Sequence, residues 1–277
     1  MRSLLKRHHL DPRKGLGQNF LVDHNALRRI VDCAALSGGE ELLEIGAGLG
    51  SLTRLLAARA GQVKAVEIDG RLIPVLREVL SGYANVELFQ GDILALDPAR
   101  LMSGPGYIAV ANIPYYITSA IVRHLLESST RPARLVLTMQ KEVAERICAE
   151  PGDLSLLALS VQVFGQPRIS ATIPATAFYP VPGVDSATLR VDLHSQPFFT
   201  DEQRGMFFSL IRMGFAQKRK TLRNTLAAGL RISGEETARY LIAAGIDPQR
   251  RAQTLSLVEW RTLVNELKGL LSAKHVE

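Results

Sequence analysis

The sequence predicts an α/β protein: a doubly wound parallel sheet followed by a small all-helical domain. Three features carry that expectation. Between residues 30 and 196, short apolar runs bounded by Gly or Asp alternate with amphipathic stretches. A glycine-rich turn follows the first of those runs, and from Pro197 onward every apolar pattern has a helical period. The 277 residues are 47% apolar and 22% charged, enough chain for about two domains of ordinary globular composition. That composition excludes collagen-like, low-complexity and wholly disordered classes. No apolar run approaches the roughly 20 residues a membrane helix needs. The basic first 15 residues lack the apolar block of a signal peptide, so the chain reads as cytoplasmic with no membrane role. Cys33 and Cys148 are too few for a disulfide framework and lie at no metal-ligand spacing; they read as reduced thiols.

The elements follow in order. Asp23 is placed to cap a helix whose apolar residues Leu27, Ile30, Val31 and Ala34 share one face. The runs at 41–45, 63–68, 86–90, 107–111 and 134–139 each read as a buried strand. Helical patterns at 52–60, 72–80 and 119–126 lie between most of them, which implies right-handed crossovers in a parallel sheet. Segments 168–173 and 187–193 add an antiparallel hairpin at one edge. Four helices are expected after the boundary, at 202–217, 221–228, 235–244 and 257–271, with Trp260 on a packing stripe. The composition shift at Ser195-Gln196-Pro197 sets the domains at 1–196 and 197–277.

The first strand runs into Leu43-Glu44-Ile45-Gly46-Ala47-Gly48-Leu49-Gly50-Ser51. Glycines at such a switch let the backbone turn tightly and approach a ligand closely. The spacing is E-x-G-x-G-x-G, and Ser51 stands where a nicotinamide fold has its third glycine, which disfavours an oxidoreductase. Glu67 ends the second strand 21 residues after Gly46, where a carboxylate accepts both hydroxyls of an adenosine ribose. Asp92 follows the third strand, placed to accept from an adenine amino group. Each acid alone is more often a helix cap or surface charge; in this order they point to a nucleoside-type cofactor.

Glu44–Gly50, Glu67 and Asp92 resemble the S-adenosylmethionine site of class I methyltransferases. Gly17-Gln18-Asn19-Phe20-Leu21, Asn112-Ile113-Pro114-Tyr115-Tyr116-Ile117 and the Phe178–Ala187 segment resemble the ribosomal-RNA adenine N6-dimethyltransferases of the bacterial KsgA type. The resemblance runs from about Arg13 into the C-terminal helices. It implies a class I methyltransferase (Rossmann-like) fold and S-adenosylmethionine as cofactor, with Asn19, Leu21, Gly46, Gly48, Glu67, Asp92 and Asn112 around it. The implied reaction is dimethylation of two adjacent adenosines near the 3′ end of 16S rRNA, within a small-subunit particle. No obligate protein partner is evident and no metal is expected. Two positions depart from the common pattern: Tyr116 stands where Asn is frequent, and Gly183 where Lys often follows the second proline. Two other readings stay open, a single-adenosine 23S rRNA dimethylase of the antibiotic-resistance type and an RNA-binding assembly factor with secondary methylase activity.

The residue types suit that chemistry. The exocyclic nitrogen of adenine is a poor nucleophile because its lone pair is drawn into the ring. The Asn112 side chain and the Ile113 carbonyl can accept its two N–H groups and hold it towards tetrahedral geometry. Pro114 fixes the backbone and removes a competing donor. Tyr115 and Phe178 offer faces for the extruded base. The net charge of +6 is uneven. Residues 1–29 carry 7 Lys/Arg against 2 Asp/Glu, and 197–277 carry 13 against 8, so each flank is +5; the middle has 13 against 17. Lys218, Arg219, Lys220 and Arg223 concentrate the second flank, as a polyanion-binding surface would.

Overall fold

The apolar runs of the middle segment become one seven-stranded sheet. The structure is a computed structural model that describes residues 2–112 and 117–274, and the side chains of all of these except 2, 3, 14 and 272–274. It divides into two units, one of residues 1–145 with 165–195, the other of residues 146–164 with 196–277.

In chain order the first unit contains α1 (Arg2–Arg7), β1 (Phe20–Leu21), α2 (His24–Ala34), β2 (Glu41–Ile45), α3 (Ser51–Ala57), β3 (Gln62–Glu67) and α4 (Ile73–Leu80). It continues with β4 (Val86–Gln90), α5 (Pro98–Leu101), β5 (Ile108–Asn112), α6 (Thr118–Glu127), β6 (Arg134–Gln140) and α7 (Lys141–Ile147), whose last two residues already belong to the second unit. β7 (Gly165–Ile173), β8 (Phe178–Tyr179) and β9 (Ser186–Leu193) complete it. The sheet order is β4-β3-β2-β5-β6-β9-β7; the first five strands are parallel, and β9 and β7 are antiparallel to their neighbours. The chain winds outward from β2 to β4, then returns to place β5 on the other side of β2. That reversal opens a crevice at the carboxyl ends of β2 and β5, where α/β sheets hold ligands.

Burial on both faces explains the unbroken apolar runs. Leu42, Val63, Ala65 and Val110 are fully buried beside Ile30 of α2, Leu56 of α3 and Leu76 of α4. Asp23 caps α2, accepting the Ala26 N–H at 2.7 Å. The edge hairpin forms as β7 and β9, with a register shift between Ile169 and Ala171. A separate two-stranded ribbon pairs β1 with β8, Phe20 opposite Tyr179 and Leu21 opposite Phe178. Its strands are too short to leave a periodic signal, and no sequence pattern indicated it.

The second unit holds α8 (Leu156–Gln162), α9 (Asp201–Phe215), α10 (Leu222–Leu230), α11 (Gly234–Ala243), α12 (Leu257–Glu266) and α13 (Lys268–Lys274). Thr200 and Gln203 form a capping box at the start of α9. Trp260 is completely buried and stacks on Phe215 at 6.5 Å. A Cβ at Gly214 would stand 2.8 Å from the Trp260 ring, so that glycine lets α9 and α12 approach closely. Two expectations differ from the structure. The helix expected at 257–271 is two helices, because Leu267 leaves helical backbone at φ −90°, ψ 1°; Leu263, Leu267 and Leu271 keep the apolar spacing across the break and hide it. The domain boundary set at 196/197 meets a unit boundary at Ser195/Gln196, but residues 146–164, assigned to the first domain, pack with the helical unit. There the Gln162 amide donates to the Ile147 and Ala149 carbonyls, Gly152 and Gln253 bond reciprocally, and Phe164 meets Phe208 at 6.3 Å.

Candidate active site

The crevice at the switch is built from backbone first. Gly46, Gly48 and Gly50 have φ of 79°, 60° and 76°, a region costly for any residue with a Cβ. Space demands glycine as well: a Cβ at Gly48 would lie 3.3 Å from the Phe20 ring, and one at Gly50 3.1 Å from Val79. The Gly46 N–H donates to the Val66 carbonyl at 2.9 Å, which ties the loop to β3.

Glu67, at the end of β3, is 4% exposed and accepts the Gly48 N–H at 2.7 Å and the Asp69 N–H at 2.9 Å. Burial pushes its carboxyl above the usual range, and the nearby Asp69 charge adds to the shift. An ionised carboxylate has about four acceptor sites, so acceptor capacity remains for a ligand. Around it opens a cavity of about 800 Å³, mouth included, with Gly46, Gly48, Glu67 and Asn112 among its lining residues. Asn112 ends β5, in register with Thr138, and is half-buried. Residues 16–21 line the same cavity, Asn19 and Leu21 among them, as does Phe178. The Asn19 amide donates to the Gly17 carbonyl at 3.3 Å.

Asp92 stands apart from these. It is exposed, accepts the Leu94 N–H at 2.9 Å in a local turn, and is not among the cavity-lining residues. Its neighbour Gly91 donates to the Glu67 carbonyl at 2.9 Å, which holds the loop next to the cavity. Ile113, Pro114 and Tyr115, and with them Tyr116, lie outside the described residues. Lys218, Arg219 and Lys220 belong to the second unit, exposed in the loop between α9 and α10; half-buried Arg223 follows on α10. Among the described residues none of the three loop cations pairs with a carboxylate. No group of three metal-binding side chains occurs among the described residues, and none of their helices is long and apolar enough to cross a membrane.

The roles of three further residues escaped the sequence reading, although Gln18 and Glu44 stand in its motifs. Asp69 is 3% exposed and held well below the usual range, at about 2, first by the Arg71 guanidinium. It also accepts the Gln18 amide at 3.0 Å, and Gln18 in turn accepts the Arg13 N–H at 2.8 Å, so residues 13–18 are fastened to the end of β3. The only available signal was Gln18 within the Gly17–Leu21 motif. Glu44 is the third: it is 1% exposed on β2, neither oxygen makes a well-formed hydrogen bond among the described residues although the Thr53 hydroxyl stands beside it, and burial pushes it up to about 7.

A doubly wound sheet with a glycine cradle after its first long strand and an acid at the end of the next defines the class I S-adenosylmethionine-dependent methyltransferase fold. Among solved structures it is similar to a dimethyladenosine transferase from Plasmodium falciparum (26% identity, TM-score 0.79, 91% of this chain and 98% of that one). It is similar also to the 23S rRNA methyltransferase ErmE (31% identity, TM-score 0.75, 90% and 100%). A curated relative, ribosomal RNA small subunit methyltransferase A of Dehalococcoides mccartyi, is 44% identical over 269 residues, 97% of this chain and 92% of that protein. Residues 10–269 match the family model for ribosomal RNA adenine dimethylases, and the chain belongs to that family.

Proposed function

We propose that this protein transfers two methyl groups to N6 of each of two adjacent adenosines near the 3′ end of 16S rRNA, in a small-subunit particle in the cytoplasm. The observation that carries the reading is one cavity in which Glu67 and the glycine cradle face Asn112 and Phe178, in a chain of the adenine dimethylase family. The small-subunit relative matches at 44% identity and the large-subunit structure at 31%, which favours the small-subunit substrate.

The residues present fit an adenosyl cofactor: a buried carboxylate with open acceptor sites, beside a cradle that a Cβ at Gly48 would fill. Bound S-adenosylmethionine supplies an electrophilic methyl group on a positive sulfur. Glu67 holds the ribose, while Gly46, Gly48, Asn19 and Leu21 enclose the remainder; Asp92, on its exposed loop, is assigned to the adenine amino group. Asn112 and the Ile113 carbonyl orient the target nitrogen, Pro114 keeps that carbonyl free, and Tyr115 and Phe178 sandwich the base. No nucleophilic side chain is needed, so the protein contributes mainly positioning. Lys218, Arg219, Lys220 and Arg223 grip RNA phosphates. This reading calls for no protein partner.

Primer extension on rRNA from cells with and without the gene tests the reading, because N6-dimethyladenosine blocks reverse transcription. A gene-dependent stop at two adjacent adenosines near the 16S 3′ end is expected. A stop in large-subunit rRNA alone, or none, would overturn it.

A further inference from the structure

We propose that a second concavity, lined by Leu5, Lys6, His9, Leu10, Asp11 and Tyr179, is a subsite for the nucleotide adjoining the target adenosine in the RNA strand. The inference rests on the rRNA reading above. The concavity encloses about 960 Å³, mouth included, and shares the β1–β8 ribbon with the cofactor cavity. Phe20, Leu21 and Phe178 of that ribbon line the cofactor cavity, whereas Tyr179, the very next residue after Phe178, lines the second one. A strand that inserts one base beside Phe178 carries its next nucleotide past Tyr179.

The lining suits a nucleotide group by group. Buried Leu5 and half-buried Leu10 form an apolar floor, and the Tyr179 ring forms a wall; together they match the flat apolar body of a base. Exposed Lys6 and His9 stand at the rim, where a phosphate would lie, and Lys6 pairs with no carboxylate among the described residues. Asp11 supplies an acceptor for a ribose 2′-hydroxyl, a group that only RNA offers. The rim is also fixed in advance. Arg7 bonds Glu78 of α4 at 3.2 Å, His8 stands 2.9 Å from the same carboxylate, and the Leu10 N–H donates to the Leu5 carbonyl at 2.9 Å. His9 turns the chain there with a φ of 49°.

The test uses the full-length protein and small-subunit particles reconstituted on 16S rRNA, the RNA intact or carrying one abasic site beside the methylated position. With wild-type protein the abasic site should lower kcat/KM roughly 5- to 100-fold, the size of one base–aromatic stacking contact. In Tyr179→Ala, or in Tyr179→Leu should the alanine variant lose the ribbon and with it S-adenosylmethionine binding, that penalty should shrink to about twofold or less, since the contact is already gone. Lys6→Gln with His9→Asn, which keeps a residue tolerant of positive φ, should raise KM for RNA about fivefold and leave kcat and cofactor affinity unchanged. An abasic penalty that stays the same in the Tyr179 variants, or an unaltered KM in the rim variant, overturns the subsite. If wild-type protein methylates no rRNA, it is the functional reading that fails. The subsite is then judged by filter binding of the same particles, where the abasic one must bind wild type more weakly and Tyr179→Ala equally.

Discussion

Glu67 and Asn112 face one cavity but serve different steps, and substitution should separate them. Glu67→Ala removes a charged acceptor from the ribose; a hydrogen bond to a charged group contributes roughly 1.5–3 kcal/mol, so S-adenosylmethionine should bind about 10- to 150-fold more weakly by calorimetry. Asn112→Ala leaves the glycine cradle and Glu67 intact and removes the acceptor that matters most as the adenine nitrogen becomes tetrahedral. Its cost should fall on turnover, on the order of 10²-fold in single-turnover methyl transfer at saturating ligands. A near-normal rate would take Asn112 out of the mechanism. Glu44 presents a different case. Burial pushes its carboxyl from about 4.5 up to about 7, so the folded state holds its proton more tightly. Stability from this group is therefore complete below about 4.5 and is lost as pH rises through about 7, by on the order of 3 kcal/mol. Glu44→Gln cannot ionise, so between pH 5.5 and 8.5 the cofactor-free variant should lose less stability to urea than wild type. Equal losses would show that Glu44 is already ionised in the fold.

At the level of elements, the inner strands of the parallel sheet were legible because burial on both faces leaves a largely apolar run; β2 and the half-exposed edge strand β4 match their expected bounds residue for residue. The β1–β8 ribbon was not legible, since two residues per strand carry no period, although Phe20 and Phe178 were conspicuous within their motifs. Likewise the fastening of residues 13–18 to Asp69 depends on a side-chain pair 51 residues apart, which spacing along the chain cannot reveal. The cofactor half of the site was readable because backbone demands at Gly46, Gly48 and Gly50 are local. Asp92 shows the limit: a carboxylate after a strand is equally a turn-former, and here it accepts the Leu94 N–H. The α9–α10 loop carries its own prediction. Reversing Lys218, Arg219 and Lys220 to Glu removes three exposed cations, so RNA affinity should fall and the log–log salt slope should flatten by about 2–3. Cofactor binding, centred in the other unit, should hold. An unchanged slope would make that loop a solvated surface and nothing more.

On the scale of the whole molecule, the two units are interleaved along the chain. Residues 146–164 leave the sheet unit after β6, pack with the helical unit, and return as β7. β6 and β7 both run antiparallel to β9, so the excursion is a crossover between strands that run the same way. Cutting the chain after Ser195 therefore strands residues whose partners have been removed. Ala158, Leu159 and Val161 of α8 are buried, Phe164 loses Phe208, and Gly152 loses both of its bonds to Gln253. A fragment of residues 1–195 should expose that apolar surface, aggregate on concentration and unfold with a broadened transition. The same fragment with residues 146–164 replaced by a flexible Gly/Ser segment should behave better. The segment must return over the length of β6 and across two strand spacings, a distance that about 15 such residues span. Size-exclusion chromatography and calorimetric titration with S-adenosylmethionine compare the two fragments. The linker version should be monodisperse and keep cofactor binding within about tenfold of the full chain, because Glu67, the glycine cradle and Asn112 all belong to its unit. If the simple 1–195 fragment proves equally soluble and equally competent, residues 146–164 find sufficient partners on the sheet unit itself, and the functional boundary returns to the 195–197 segment where the composition changes.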